Sequence, residues 1–547
     1  MERRLVVAIL LMILVAVLPS LFLKSRPRPV APADSTQARV PSPDTTHAPP
    51  TVEEEETRAT RPAPVRRPAA PAESVTIATP LARYTLSGEG ATLEGAELSA
   101  YRMYGARRGP PVELMRPGDR LLAQQVVVGR DTIRLDMATF AVERTAEGAT
   151  FRTRAGAVDA AVSYTYRAGS DYILDVAGEL HGLGGQGALV LIGLGSGFAN
   201  TEADSIGNYR SYGAVGRRNE PQGLAFSKVA PGETATLDGP FDWVAVKSKY
   251  FIGALLSPDS TKPSFGGLVL HGEPRTGRFA AQAQTWATLP VGPDGRFQYS
   301  LYLGPQEYRH LRKVGRELDK ASPYGWIFKP IVMPVATWIT ELLLWMHQKL
   351  SLAYGWVLVL FGIAVRLLLW PLNQKAMKSS VAMQAVQPLM KDIQTRYKDD
   401  PQRLQQEMLK LYKEHKVNPL GGCLPMLLPF PILLALFFVF ANTIAFRGVS
   451  FLWLPDLSLK DPTYIIPVVM GASMWALSKL GQMGMPPNPQ AKMMTTVMPI
   501  MMTVLFLNFA SGLNLYYAVS NLVSLPQQYM INKARAAEMA RRKGTTA

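Results

Sequence analysis

Six apolar segments, each about as long as a membrane span, constrain the fold of this chain of 547 residues more than any other feature. An α-helix rises about 1.5 Å per residue, so about 20 apolar residues cross a hydrocarbon core of about 30 Å. One segment stands near the amino terminus and the others crowd into the second half. The segments are residues 5–23, 352–372, 420–440, 463–480, 493–509 and 513–531. The chain is therefore predicted to be a membrane protein with six α-helical spans.

The first apolar segment has two interpretations. It follows Arg3 and Arg4, as a membrane anchor or a cleaved signal peptide would. Its apolar run is longer than the ~7–15 residues usual in a signal peptide, and no small-x-small cleavage site follows it. An uncleaved anchor over residues 1–23 is therefore favoured over a signal peptide.

Two regions of different composition lie between the first two spans. Residues 24–73 hold 11 prolines and no apolar periodicity, which predicts a disordered linker acting as a spacer or a tether. Residues 74–305 show short, alternating apolar runs between glycine-bearing turns, a pattern typical of an antiparallel β-sandwich, and the predicted domain covers residues 74–322. A helix is predicted over residues 307–320, at the end of this domain. The clearest strand runs are residues 162–166, 172–176, 188–192, 243–246, 250–256 and 297–303.

A further apolar stretch precedes the second span. Residues 338–350 are apolar except for a few polar positions that include Glu341 and Lys349, and residues 349–355 interrupt the run. A helix lying along the membrane surface within residues 323–351 is favoured over a simple extension of the next span.

The distribution of the net charge of +16 predicts the orientation of the spans. Lys and Arg concentrate in the loop 373–418 and in the tail 533–547, which the positive-inside rule places in the cytoplasm. Six spans put both termini on that side, and the β domain on the other, periplasmic side. The loop carries Lys375, Lys378, Lys391, Arg396, Lys398, Arg403, Lys410, Lys413 and Lys416.

Arg366 lies inside the second span, where the span offers no acid to pair with it. An arginine near the centre of a span costs about 2.5–3.5 kcal/mol on insertion scales. One interpretation is that its side chain snorkels to the cytoplasmic headgroups and does nothing else. The favoured interpretation is a polar pocket that opens to the cytoplasm, where a positive charge attracts polar stretches of another chain.

The loop 373–418 is predicted to be a helical hairpin. Apolar residues recur at helical spacing in both halves, and Asp400 with Pro401 supplies an N-cap and a first-turn proline between them. Most of the apolar residues are explained by packing of the two helices on each other. The exposed basic faces, with the basic tail, are candidates for contact with a ribosome or with anionic lipids.

The sequence carries no catalytic or cofactor signature. Cys423 is the single cysteine, and the six histidines form no HExxH or paired metal spacing. There is no Walker A loop, GxSxG motif or Rossmann fingerprint. We therefore predict no enzyme, metal site or cofactor, and no sequence-specific binding of nucleic acid. The alternatives are a transporter, which the absence of acids from the spans disfavours, and a periplasmic enzyme on a membrane anchor.

Several local sequences resemble the YidC membrane protein insertase family. The run VNPLGGCLP at 417–425, followed by Pro431, is similar to the entry to that family's third span. Residues 511–521 resemble its last hairpin, and Arg366 with residues 370–372 matches its second span. The anchor, linker and large periplasmic domain have the layout of the Gram-negative members.

The resemblance implies a five-span insertase core at 352–532 with a hydrophilic groove open to the cytoplasm. In the family, a client's polar segment meets the arginine while its apolar segment slides along the spans. Members insert and fold nascent membrane proteins in the inner membrane, alone or beside the Sec translocon, and often receive them from ribosomes. The periplasmic domain would be a β-supersandwich.

The same resemblance assigns Arg366 and Tyr517 to the substrate groove, although Tyr517 is also suited to a plain interfacial aromatic. Two positions depart from the family's pattern. Gly362 stands where members often carry a hydroxyl, and Pro429 stands where they often carry glutamine. Both changes make the expected groove less polar.

Overall fold

The computed structural model describes residues 73–106, 108–156, 158–166, 172–183, 187–259, 262–275, 277, 281–322, 329–374, 386–415, 417, 430–483 and 493–544. The predicted anchor at 1–23, the linker before residue 73 and the start of the third span lie outside these residues.

The first part of the described chain consists of antiparallel strands in three sheets. The first sheet has the order β1-β2-β3-β4, and the second has the order β13-β12-β15-β16-β19-β10-β9-β8-β7. The third has the order β14-β17-β18-β11-β5-β6. The strands are β1 (Ser74–Ala78), β2 (Ala82–Ser87), β3 (Thr92–Arg102), β4 (Pro111–Glu113), β5 (Gln124–Val128), β6 (Asp131–Ile133), β7 (Ala141–Arg144), β8 (Gly148–Ala155), β9 (Val158–Tyr166), β10 (Ile173–His181), β11 (Ala188–Gly193), β12 (Gly213–Arg217), β13 (Pro221–Ala225), β14 (Thr234–Phe241), β15 (Trp243–Lys247), β16 (Phe251–Leu256), β17 (Phe265–Gly272), β18 (Ala283–Pro290) and β19 (Arg296–Pro305).

One apolar core joins the three sheets. Strands such as β10 and β18 bury every second residue, as alternating sequences do when one face of a sheet is covered. The strands β15 and β16 are buried along their whole length, in agreement with their continuous apolar sequences. Two buried tyrosines donate hydrogen bonds to distant carbonyl oxygens, Tyr84 to Leu303 of β19 at 2.9 Å and Tyr164 to Ala91 in the turn before β3 at 2.5 Å. The core therefore has the all-β character that the alternation predicted.

The helix expected over 307–320 is shorter than the periodicity suggested. It runs over Tyr308–Val314 and ends at Gly315, whose φ of 79° breaks the helical path. A separate 3₁₀ turn follows at Leu318–Lys320. Glycine is the residue that most easily adopts a positive φ after a helix, so the sequence did contain this stop.

Helices make up the second part of the described chain. A small helix, α1 (Ser205–Arg210), interrupts the β part, and the helix after the last strand is α2 (Tyr308–Val314). The others are α3 (Lys329–Leu350), α4 (Tyr354–Leu368), α5 (Gln387–Arg396), α6 (Pro401–Glu414), α7 (Phe430–Asn442), α8 (Ile465–Gln482), α9 (Met498–Phe506) and α10 (Ser511–Gly544). In a second apolar core, α3 packs on α4 and α7, and α10 packs on α4 and α8.

The break expected before the second span is present. The helix α3 ends at Leu350, Ser351 has a φ of 51°, and α4 starts at Tyr354 with its axis bent by 119°. The hairpin cap is also as predicted, because the Asp400 carboxylate accepts a hydrogen bond from the Arg403 N–H at 3.0 Å.

By length and hydropathy alone, no single helix in the described ranges is sufficient to cross a membrane. The bent pair Val332–Leu350 and Tyr354–Leu368 meets the criterion together, and Pro431–Asn442 and Thr495–Phe506 are shorter apolar helices.

The β part and the helical part meet at the loop between α7 and α8. Ile444 from this loop is buried in the core of the β part. Next to it, the Arg447 side chain bonds the Glu202 carboxylate at 2.7 Å and the Thr201 carbonyl at 2.9 Å. The side chains of Arg447 and Glu202 are only 3% and 6% exposed, so this ion pair is withdrawn from water.

Candidate functional site

Arg366 lies near the end of α4, two residues before the last helical residue, Leu368. Its side chain is half-buried, and its Nε atom is buried without a hydrogen-bond partner in the described residues. No carboxylate within the described ranges lies in ion-pair distance of its guanidinium. A buried donor without a partner is costly, so this cation is available to an incoming acceptor.

Tyr516 of α10 is the aromatic residue that faces Arg366. Its ring packs on Phe361 with the centroids 5.7 Å apart, and its hydroxyl interacts electrostatically with Arg366. Gly362 lies at this contact, where a Cβ would be at ordinary contact distances, 3.5 Å from the Tyr516 ring and 3.4 Å from Val519. The position that lacks the family's hydroxyl thus lies directly between α4 and α10.

Tyr517, the residue that the resemblance assigned, points elsewhere. Its ring contacts Phe506 of α9 at 5.5 Å and Tyr516 at 5.4 Å between centroids. Arg366 therefore lies beside Tyr516. Tyr517, the next residue of α10, faces α9 instead.

Polar side chains continue from Tyr516 along α10 in two rows. One row faces α4, where Ser520 lies beside the Tyr516 hydroxyl and Gln527 donates to the Trp370 carbonyl at 3.5 Å. The other row faces α8, where Asn521 donates to the Ser473 hydroxyl at 3.2 Å and Asn532 bonds the Leu480 carbonyl. These contacts run in the same chain direction on all three helices, so α4, α8 and α10 are parallel.

Sequence reasoning missed Tyr516 and the two polar rows. The signal was present, since residues three and four apart share a helix face and Tyr516, Ser520, Ser524 and Gln527 have that spacing. Because most residues of the last apolar segment are apolar, its polar face was not predicted.

Among the described residues, no group of three or more His, Cys, Asp or Glu side chains is placed to hold a metal ion. What the site offers is a half-buried cation, hydroxyls and amides between apolar helices. Such groups can bind a polar peptide segment without reacting with it.

Comparison with known proteins identifies the family. A family model described as the YidC periplasmic domain matches residues 74–346, and one described as the 60Kd inner membrane protein matches residues 345–538. The chain is similar over 84% of its length to the membrane protein insertase YidC of Syntrophus aciditrophicus, at 33% identity and covering 85% of that protein. The YidC of Chlorobaculum tepidum is 29% identical, with coverage of 84% of this chain and 82% of the relative.

A crystal structure described as an active YidC insertase with its first transmembrane domain resolved aligns at 19% identity and a TM-score of 0.34. That alignment covers 84% of this chain and 94% of the solved chain. The family assignment rests on the sequence relatives, which match the β part and the helical part together. This chain belongs to the YidC family of membrane protein insertases, which are inner-membrane proteins with a periplasmic domain.

Proposed function

We propose that the chain inserts client proteins through a groove between α4, α8 and α10, with Arg366 as its positive charge. The observation that carries this proposal is the unpartnered, buried Nε of Arg366 beside the Tyr516 hydroxyl. A client's polar or acidic segment would supply the acceptor that the guanidinium lacks. Its apolar segment would then move along exposed side chains such as Leu367 and Leu368 into the lipid.

We infer a membrane topology that fits this role. Six spans, both termini and the hairpin 373–418 in the cytoplasm, and the β domain in the periplasm follow from the charge distribution. The parallel direction of α4, α8 and α10 supports it, because these helices correspond to the second, fourth and sixth spans. We also propose that the β domain is a sandwich and that the domains begin at residues 24, 74, 323, 352 and 533.

We further propose chaperone activity, cooperation with the Sec translocon and reception of chains from ribosomes by the basic hairpin and tail. Only the hairpin has direct support, since α5 and α6 pack together and leave Lys391, Arg403 and Lys410 exposed. None of these roles needs nucleotide hydrolysis, so we expect no enzymatic activity.

Photo-crosslinking tests the groove. A photoreactive amino acid at Ser520, which is half-buried and lies beside the Tyr516 hydroxyl, leaves Arg366 and Tyr516 intact. Tyr529 is the matched control, because it lies on the same helix and is exposed. A ribosome-held membrane protein should crosslink to position 520 much more strongly than to position 529. Equal crosslinking at both positions would contradict the groove.

Replacement of the arginine tests the charge. In cells depleted of the native insertase, Arg366→Lys should support growth and Arg366→Ala should not, because the lysine retains a positive charge. Full rescue by Arg366→Ala would show that the side chain only snorkels, although the family assignment would stand.

A further inference from the structure

An open cleft of about 310 Å³ lies between α2 and α3. The helix α2 contributes Tyr308, Arg309, Arg312 and Lys313, and α3 contributes Glu341 and Leu344. Three cations thus line the cleft against one carboxylate. Neither the insertase groove nor the cytoplasmic basic hairpin includes any of these residues.

The one carboxylate in the cleft is already bonded. The Glu341 Oε1 atom accepts from the Tyr308 hydroxyl at 2.7 Å and from Arg312 Nη1 at 3.0 Å. Arg312 keeps other N–H donors, since a guanidinium has five. Arg309 and Lys313 are exposed, and neither has a carboxylate within ion-pair distance in the described ranges. The lining therefore has an excess of positive charge that faces open space.

Acids behind the cleft do not neutralise this excess. Glu307 interacts with Arg309 but is occupied by hydrogen bonds from Tyr101 at 3.1 Å and with His310 at 2.9 Å. Asp319, which interacts with Arg312, is partly buried in a neighbouring small cavity. The faces of Arg309, Arg312 and Lys313 that open to the outside remain available.

Exposed tryptophans place the cleft at the level of a membrane interface. Trp338 and Trp345 are 55% and 52% exposed and flank Glu341 on the outer stripe of α3. Trp356, at the start of α4, is 51% exposed. Exposed tryptophans are typical of the headgroup region of a bilayer. Glu341 lies between Trp338 and Trp345 and bonds Tyr308 and Arg312 of α2. The basic side chains of α2 therefore lie beside the exposed tryptophans of α3.

We propose that this cleft binds the phosphate headgroup of an anionic glycerophospholipid in the periplasmic leaflet. Arginine presents paired N–H donors that match two phosphate oxygens, and Lys313 adds a mobile point charge. The acyl chains would pass along Trp345. A soluble phosphate would satisfy the cations but would leave the adjacent tryptophan stripe without a partner.

Lipid crosslinking tests the site without reference to insertion activity. The full chain is placed in phosphatidylcholine vesicles with a small fraction of a photoactivatable phosphatidylglycerol or, in parallel, of photoactivatable phosphatidylcholine. Labelled peptides are then mapped by mass spectrometry. The peptides that contain α2 and α3 should be labelled about five-fold or more strongly by the anionic lipid, the contrast that one basic residue gives at an anionic surface.

Two sets of variants decide the origin of the labelling. The triple variant Arg309→Gln/Arg312→Gln/Lys313→Gln should reduce labelling by the anionic lipid to the phosphatidylcholine level. The control Arg144→Gln/Arg152→Gln/Arg154→Gln removes the same charge from exposed positions on β7 and β8, which are four and three strand positions from β19, and should change nothing. Arg309→Lys/Arg312→Lys keeps the charge but not the paired N–H donors, so its labelling should lie between those of the wild type and the triple glutamine variant, which guards against an effect of misfolding.

Three results would overturn the proposal. They are equal labelling by the two lipids, full labelling of the triple glutamine variant, and loss of labelling in the charge-preserving variant. If millimolar glycerol phosphate abolished the labelling while lipid composition made no difference, the cleft would be a site for a soluble anion instead.

Discussion

Lys247 is a cation buried within the fully buried strand β15. Its Nζ atom lies 3.3 Å from the Ser322 hydroxyl, and no carboxylate in the described ranges pairs with it. Burial therefore lowers the pKa of Lys247 from 10.5 to about 8. Below pH 8 the folded protein carries a desolvated charge that the unfolded chain exposes to water, so the cost to stability is fully present there.

We expect Lys247→Met to stabilise the β part by about 2 kcal/mol at pH 7, because the substitution removes that cost and keeps the volume. Between pH 8 and 10.5 the unfolded chain binds more protons than the folded one, so the wild-type protein gains stability as pH rises. The advantage of the variant should therefore shrink toward pH 10.5. Thermal unfolding of the full chain at pH 7 and pH 10 measures both effects.

Lys228→Met is the matched control, since Lys228 is an exposed lysine of the same region. It should leave the melting temperature unchanged at both pH values. A Lys247→Met variant that was less stable than the wild type at pH 7 would show that the bond to Ser322 outweighs desolvation.

At the scale of elements, the helix contacts at Gly362 and Gly471 differ in whether they leave room for a side chain. A Cβ on Gly362 would meet Val519 and Tyr516 at ordinary contact distances of 3.4 and 3.5 Å. A Cβ on Gly471 of α8 would instead collide with the side chain of Thr503 of α9. Small residues permit this kind of close packing between membrane helices.

We expect Gly362→Ser to fold normally and to insert clients at least as well as the wild type. The added Cβ fits between α4 and α10, and the hydroxyl restores a polar group one turn before Arg366. Complementation of an insertase-depleted strain, with the protein level checked by immunoblotting, measures this outcome. Loss of the folded protein would show that the α4–α10 contact tolerates no side chain.

Gly471→Ala should destabilise the contact between α8 and α9, by about 1–3 kcal/mol as for overpacking in a core. The double variant Gly471→Ala/Thr503→Ala should recover most of the loss, because the colliding atoms belong to the Thr503 side chain. The melting temperatures of Gly471→Ala, Thr503→Ala and the double variant are measured in detergent. Together they form a double-mutant cycle that gives the interaction energy of the two positions. Additive losses would mean that the two positions are not in contact.

At the scale of the whole molecule, the buried pair of Arg447 and Glu202 joins the β part to the loop between α7 and α8. The removal of one partner leaves an uncompensated buried charge, which costs about 3–5 kcal/mol. We therefore expect Glu202→Gln to separate the two parts and to expose the loop to protease. The double variant Glu202→Leu/Arg447→Met should regain the wild-type resistance, because it buries no charge.

The exposed pair of Arg83 and Glu97 is the control, with side chains that are 61% and 35% exposed. Glu97→Gln should change protease resistance and melting temperature little, as is usual for surface ion pairs. An equally small effect of Glu202→Gln would contradict the joining role of the buried pair.

Local sequence patterns were sufficient to determine several features of this protein. Alternating apolar residues predicted the β part, and the Asp400–Pro401 cap and the break before α4 were predicted where the structure has them. These features depend on neighbouring residues, whose spacing the sequence displays directly. The family followed from local sequences of the same kind, and the sequence relatives confirmed it. The six-span count and the groove residues stay predictions.

Only the tertiary structure decided which distant side chains meet. Glu202 and Arg447 are 245 residues apart, and Arg366 reaches Tyr516 from another helix. No periodicity records such a pair, because the contact depends on how whole sheets and helices pack. The packing of whole elements also determines the bend of 119° between α3 and α4 and the basic cleft between α2 and α3. The sequence determines the elements and their polar faces, and packing determines which faces come together.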